Sequence, residues 1–233
     1  MKKKKNGFKI LIVILVIVGL SVLLYPRITD FLYNRQAQSV ITEFRNRMEL
    51  DDESLEQLYQ LLVEYNRSLY ENKQKDLVDP FSYKQVDFSL EPFGFDEELI
   101  GHLTIKKMDI DLPVYLGATE ENMSKGAGHL TQTSIPVGGE NTNAVIAAHR
   151  GYSRTAMFRD IEKLELGDEV LFTNFRETLV YQVAEIKVIL PTDIDEVLIQ
   201  DGRDLITLIT CHPYRHNYQR YVVYCERAKP AMD

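Results

Sequence analysis

Cys211 and His149 are the side chains of this 233-residue sequence whose types and settings suit acyl chemistry. Cys211 closes an apolar, β-branched run at 205–211, and a second such run begins at Arg220. Runs of this composition favour strands, and Pro213 and Asn217 mark a turn between them. If 212–217 joins two antiparallel strands, Cys211 and Arg220 become neighbours. A guanidinium stays charged and offers five donors in a fixed fork. Beside a thiol it favours the thiolate and can hold a developing oxyanion. The plainer alternative is a buried strand cysteine near an ordinary loop arginine. His149 ends a short apolar run at 144–148, where an acid–base group can face a cleft. The alternative there is a solvated histidine at a strand end.

Short strand signals surround these residues, at 101–105, 109–114, 169–173 and 178–190, the last long and bent. Turns are marked at 138–141 and 166–168. The stretch 153–164 reads as a loop with a short helix, and 191–202 as a loop with a helical turn. Many short strands at regular intervals predict a closed β-barrel rather than a parallel sheet. The glycine-rich 124–129 segment lacks phosphate-loop spacing, because Lys125 precedes the glycines, so no nucleotide cofactor is expected. His212 and His216 stand four apart without a supporting helix or third ligand, so no metal is expected. His102 and His129 have no evident chemical partner and read as structural or solvated.

The chain opens with five lysines, at 2–5 and 9, followed by an apolar run at 10–25 broken only by Gly19 and Ser21. Sixteen helical residues span about 24 Å against a hydrocarbon core of roughly 30 Å. Phe8 and the snorkelling stem of Lys9 extend the span. The basic flank predicts a cytoplasmic tail at 1–9 and an external remainder. The bulky Leu24-Tyr25-Pro26 favours an uncleaved anchor over a signal peptide. Without those five lysines, 22 basic residues face 35 acidic ones, a formal charge of −13. That argues against the basic surface expected of nucleic-acid binders and against a polybasic lipid patch.

A helical segment is expected over 26–75. Leu55, Leu58, Leu62, Tyr65 and Leu69 form one apolar stripe in it. Two helices forming a stalk, or packing on the barrel, are the simplest arrangement; a coiled-coil oligomer has weak support, and the oligomeric state is left open. At 76–94 an ordered loop carries Asp79, Pro80 and Phe81, in which Pro80 restricts itself and Asp79. The triplet either presents an acid and an aromatic at a fixed spacing or is an ordinary turn. The barrel should occupy 95–230, with a short tail at 231–233. The hairpin places Cys225 opposite Leu205 or Ile206, roughly 15–20 Å from Cys211 along the strand. A disulfide needs Cα atoms within about 7 Å, so Cys211 should be a free thiol and Cys225 a small buried side chain.

The sequence resembles the sortases, the cysteine transpeptidases of Gram-positive cell surfaces. TLITC at 207–211 matches their Thr-Leu-x-Thr-Cys signature, AHRG at 148–151 supplies the family histidine as His149, and Arg220 stands as the family arginine. The resemblance covers about 101–227 and implies a mostly β fold, an eight-stranded barrel with short helices. It also implies a mechanism. Cys211 would attack the Thr–Gly bond of a Leu-Pro-x-Thr-Gly sorting signal, and His149 would shuttle protons. Arg220 would hold the oxyanion or the substrate backbone, and an amine would accept the acyl group. In the pilus-assembling class, class C, that amine is a pilin lysine. In anchoring classes it is the peptidoglycan precursor. Class C enzymes carry an Asp-Pro-aromatic lid, which would set Asp79 against Arg220 and Phe81 over Cys211. Two positions depart from the pattern: His212 stands where a small residue is common, and Gln219 where class C commonly has histidine. The competing functions are a sortase of another class, a hydrolytic cysteine peptidase and a non-enzymatic surface binding module.

Overall fold

The computed structural model describes residues 2–48, 53–75, 77, 90–93, 98–151 and 155–228. Eight strands close into a barrel: β1 (Leu99–Ile105), β2 (Ile110–Tyr115), β3 (Ala127–His129), β4 (Thr142–Ala147), β5 (Glu169–Thr173), β6 (Thr178–Ile189), β7 (Asp204–His212) and β8 (Gln219–Arg227). Their order around the barrel is β1-β2-β3-β4-β7-β8-β6-β5. The eight-stranded, mostly β architecture expected from the sequence is thus present. The long strand β6 bends where its register against β8 shifts between Val183 and Glu185, the mark of a bulge.

Two neighbouring pairs run parallel, β2 with β3 and β4 with β7. Parallel neighbours need a crossover rather than a tight turn. The first crossover contains α3 (Glu120–Lys125), capped by the Thr119 hydroxyl, which accepts from the Asn122 backbone N–H. Both α3 and β3 fall in or beside the glycine-rich stretch that the sequence reading left without structure. Glycine is needed there for close approach: a Cβ at Gly126 would lie 2.3 Å from the Pro113 carbonyl oxygen. Of the expected helix over 153–164, only a 3-10 turn at Ile161–Lys163 forms among the described residues.

Side chains alternate along each strand, and the alternation separates two apolar clusters. Ala144, Ile146, Ile206, Leu208, Val223 and Cys225 join the interior core. Val145, Ala147, Ile209, Val222 and Tyr224 face outward and pack with Ala118, Met123 and Leu130. A face of the barrel is therefore covered by the segment that includes α3.

The N-terminal helix α1 runs unbroken from Lys2 to Met48, with Pro26 inside it. The apolar run and the first part of the expected stalk are one element. Pro26 lacks an N–H, and the Thr29 hydroxyl donates to the nearby Tyr25 and Pro26 carbonyls. From Ile10 to Leu24 its large apolar side chains are exposed, from 44% at Ile12 to 72% at Leu23. Further on, Ala37, Ile41 and Phe44 are buried against the barrel. A second helix, α2 (Glu53–Glu71), buries Leu55, Leu58 and Leu62. Asn66 fixes its end: its amide donates to the Ile135 carbonyl at 2.9 Å and accepts from the Ile135 N–H at 2.7 Å.

Candidate active site

Cys211 is the penultimate residue of β7 and lies directly opposite Arg220 of β8. Opposed residues of an antiparallel pair have Cβ atoms about 5 Å apart on one face, so the hairpin makes these two neighbours. The strands are slightly longer than expected, which moves the connecting loop to 213–218. His149 arrives by a different route. The parallel ladder of β4 with β7 pairs Ala147 with Ile209 at its end, which sets 149 beside 211. His149, Cys211 and Arg220 line one cleft, floored by Ala118, Met123, Leu130, Ala147 and Ile209. These outward-facing residues put the cleft on the outer face of the barrel wall, at the C-terminal ends of β4 and β7, rather than inside the barrel.

The motif threonines have structural work in this arrangement. Thr207 donates to the Asn143 side-chain oxygen at 2.6 Å, and Thr210 donates to the Ala148 carbonyl at 2.7 Å. Both bonds are buried and both tie β7 to the His149 segment. The amide of Asn143 in turn donates to the Val197 and Leu198 carbonyls. Cys211 is a free, partly exposed thiol, and Cys225 is free and fully buried. Cys225 lies opposite Ile206, as the separation of the two cysteines requires.

Burial pushes the His149 imidazole below its ordinary range, with the charge of Glu120 on α3 working the other way. The ring is therefore biased toward its neutral, proton-accepting form. Arg220 is oriented by its own loop, Nη1 donating to the Asn217 carbonyl at 2.7 Å and to the Gln219 carbonyl at 3.1 Å. Burial drives the thiol of Cys225 up, leaving it inert toward nucleophilic chemistry.

Asp79, Pro80 and Phe81 lie outside the described residues. His212 does not stand alone beside the cysteine: its Nδ1 lies 2.8 Å from Arg150 Nη1 and 3.3 Å from Glu162 Oε1. Of the two readings of His102 and His129, structural or solvated, the structure takes the first, since both are buried and hydrogen-bonded. His102 bonds Asp111 at 2.8 Å and accepts from Arg45 of α1, and His129 is fully buried on the Ser134 carbonyl at 3.0 Å. Sequence reasoning missed Arg150, Glu162 and Glu120. Arg150 was visible inside AHRG, but its partners come from the following loop, at Glu162, and from the end of β7, at His212.

The model of the sortase domain matches residues 103–228. Sortase A of Bacillus anthracis is 30% identical over 156 residues, 66% of this chain and 72% of that protein. Among solved structures, Streptococcus agalactiae sortase C1 superposes with a TM-score of 0.75 at 34% identity, covering 83% of this chain and 100% of that one. Streptococcus pneumoniae sortase C gives a TM-score of 0.73 at 37% identity, covering 82% and 97%. With a thiol near a strand end, a neighbouring imidazole and a cross-strand guanidinium on this barrel, the chain belongs to the sortase family, whose members are cysteine transpeptidases.

Proposed function

We propose that this protein is a membrane-anchored class C sortase that cleaves a Leu-Pro-x-Thr-Gly-like signal and joins the new carboxyl end to a pilin lysine. The observation that carries the reading is the convergence of Cys211, His149 and Arg220 on one cleft. In the first half-reaction the Cys211 thiol gives its proton to His149, and the sulfur attacks the threonine carbonyl carbon. Arg220 donates to the oxygen as negative charge gathers there. Collapse forms the thioester and breaks the C–N bond, the glycine nitrogen taking the proton from His149. In the second half, an amine loses a proton to His149 and attacks the thioester, and the sulfur leaves and recovers that proton.

The pilus assignment is supported by likeness to solved structures of sortase C, among them sortase C1 of GBS Pilus Island 1. The lid rests on sequence alone: Asp79 would engage Arg220 and Phe81 would shield Cys211. An exposed ion pair worth about 0–1 kcal/mol suits a gate that must open. Replacing Asp79 or Phe81 by alanine should speed alkylation at Cys211, and an unchanged rate would remove the lid.

The deciding experiment is mass spectrometry of the product from a sorting peptide and a lysine-bearing pilin. An isopeptide lacking the residues after threonine is expected, and its loss in Cys211→Ala. Transfer only to a peptidoglycan-type amine would assign an anchoring class. Hydrolysis alone, with Phe81 replaced, would assign a peptidase.

A further inference from the structure

We infer that Arg150 is a positioning residue: through His212 and Glu162 it fixes the His149 segment against the end of β7. The inference rests on the reading of His149 and Cys211 as proton shuttle and nucleophile. The β4–β7 ladder stops at Ala147 and Ile209. Beyond it the two chain segments continue side by side, 148 by 210, 149 by 211 and 150 by 212. Regular ladder pairing ends before the reactive pair, so alignment there depends on other bonds. The Thr210 hydroxyl on the Ala148 carbonyl supplies one on the near side. Arg150 Nη1 on His212 Nδ1, at 2.8 Å, supplies one on the far side.

The charge balance of the bridge also points to a device rather than a chance contact. The Arg150 side chain is only 5% exposed, and Nη2 lies 2.7 Å from Glu162 Oε1. The guanidinium sits 5.9 Å from the Tyr221 ring centroid, and the His212 ring lies 5.6 Å from the same ring. Burying a guanidinium is costly unless it is paired and hydrogen-bonded. Because a guanidinium can only donate, His212 Nδ1 accepts where it meets Arg150, and the Glu162 carboxylate, 3.3 Å from the same nitrogen, takes its hydrogen bond from Arg150 Nη2. Strand alternation turns His212 away from the face that Cys211 presents, so the bridge braces the pair from behind and touches no substrate. A small residue at position 212 would leave Nη1 without this acceptor.

Alkylation by iodoacetamide on the full chain in detergent tests the inference, because Cys225 is fully buried and Cys211 is the partly exposed thiol. In the otherwise unaltered protein, His149→Ala should change the pH–rate profile of Cys211 alkylation by about tenfold near neutrality. In an Arg150→Ala background the same change should have less than about a twofold effect, since a misplaced imidazole no longer couples to the thiol. Thioester formation in single turnovers should fall on the order of 10²-fold, in kcat rather than KM. Arg150→Lys should restore only part, lacking the fork. If Arg150→Ala does not fold, His212→Ala keeps the Arg150–Glu162 pair and should weaken the coupling in the same direction. Equal effects of His149→Ala in all backgrounds would overturn the positioning role alone. No effect of His149→Ala in the otherwise unaltered protein would instead sink the shared reading of the pair, and this inference with it.

Discussion

At the scale of single residues, two imidazoles are depressed by burial, with different consequences. His149 faces the cleft, so on the proposed mechanism its depression bears on rate. The acid limb of kcat/KM should have its midpoint below the ordinary histidine value of about 6.5; a pH–rate profile with a midpoint at or above that value would contradict the assigned base. Glu120 opposes the depression. Glu120→Gln should therefore carry the acid limb lower still, without abolishing transfer. His129 is sealed in the fold, so its depression to about 4 is a statement about stability. Burial is the main cause, and the hydrogen bonds at 133–134 work the other way. The unfolded chain binds a proton near pH 6.5 that the folded chain refuses. Stability is thus complete above that pH and declines as pH falls toward about 4, by about 3 kcal/mol. Urea titrations from pH 7 to pH 4 should record the decline, and His129→Gln should flatten it.

At the scale of elements, the site depends on how β4, β7 and β8 are held together. Thr207 and Asn143 form a buried bond across the parallel pair, and Thr207 is fully buried. Thr207→Val keeps the shape but leaves the Asn143 oxygen without its donor, a loss of about 1–3 kcal/mol, readable as a lower urea midpoint at unchanged slope. The strand β1 carries a different constraint. Gly101 has φ +151°, and a Cβ there would lie 2.2 Å from the Thr173 carbonyl oxygen of β5. Gly101→Ala should therefore destabilise the barrel by about 2 kcal/mol or more, through backbone incompatibility at the β1–β5 seam. A melting temperature within a degree of the parent would refute that account.

At the scale of the whole molecule, α1 joins two environments. Its first half exposes apolar side chains all round, and its second half buries Ala37, Ile41 and Phe44 on the barrel. Polar ties reinforce that docking: Gln38 donates to Asp111 at 3.1 Å, and Tyr33 donates to the Lys125 carbonyl at 3.0 Å. Burial works against the charged form of Asp111, but bonds from His102, Gln38 and Thr104 outweigh it and hold its carboxyl at about 2. The tie should therefore persist down to strongly acid pH. If the apolar half spans a bilayer, the chain should stay with membranes in alkaline carbonate. Arginines in place of Val16 and Val18, costing roughly 2.5–3.5 kcal/mol each at the membrane centre, should release it. Extraction of the parent chain by carbonate would refute the anchor.

Local rules carried the reading a long way. Alternation and β-branching located most strands, the turn at Pro213 and Asn217 put Cys211 across from Arg220, and the separation along β8 kept Cys225 apart. Those features depend on neighbours in sequence, where period and turn chemistry act directly. The parallel seating of β4 on β7, which brings His149 to the thiol, was invisible, because pairing across 62 residues leaves no local pattern. The same holds for Arg150 meeting His212, also 62 residues on, whereas the Asp111 partner of His102 lies only nine residues on and depended on the β1–β2 register. By itself the sequence determined where the candidate reactive groups stand along the chain and what kind of scaffold carries them. Only the closed barrel decided which groups stand together and which are buried, because closure sets registers between distant strands and removes side chains from water.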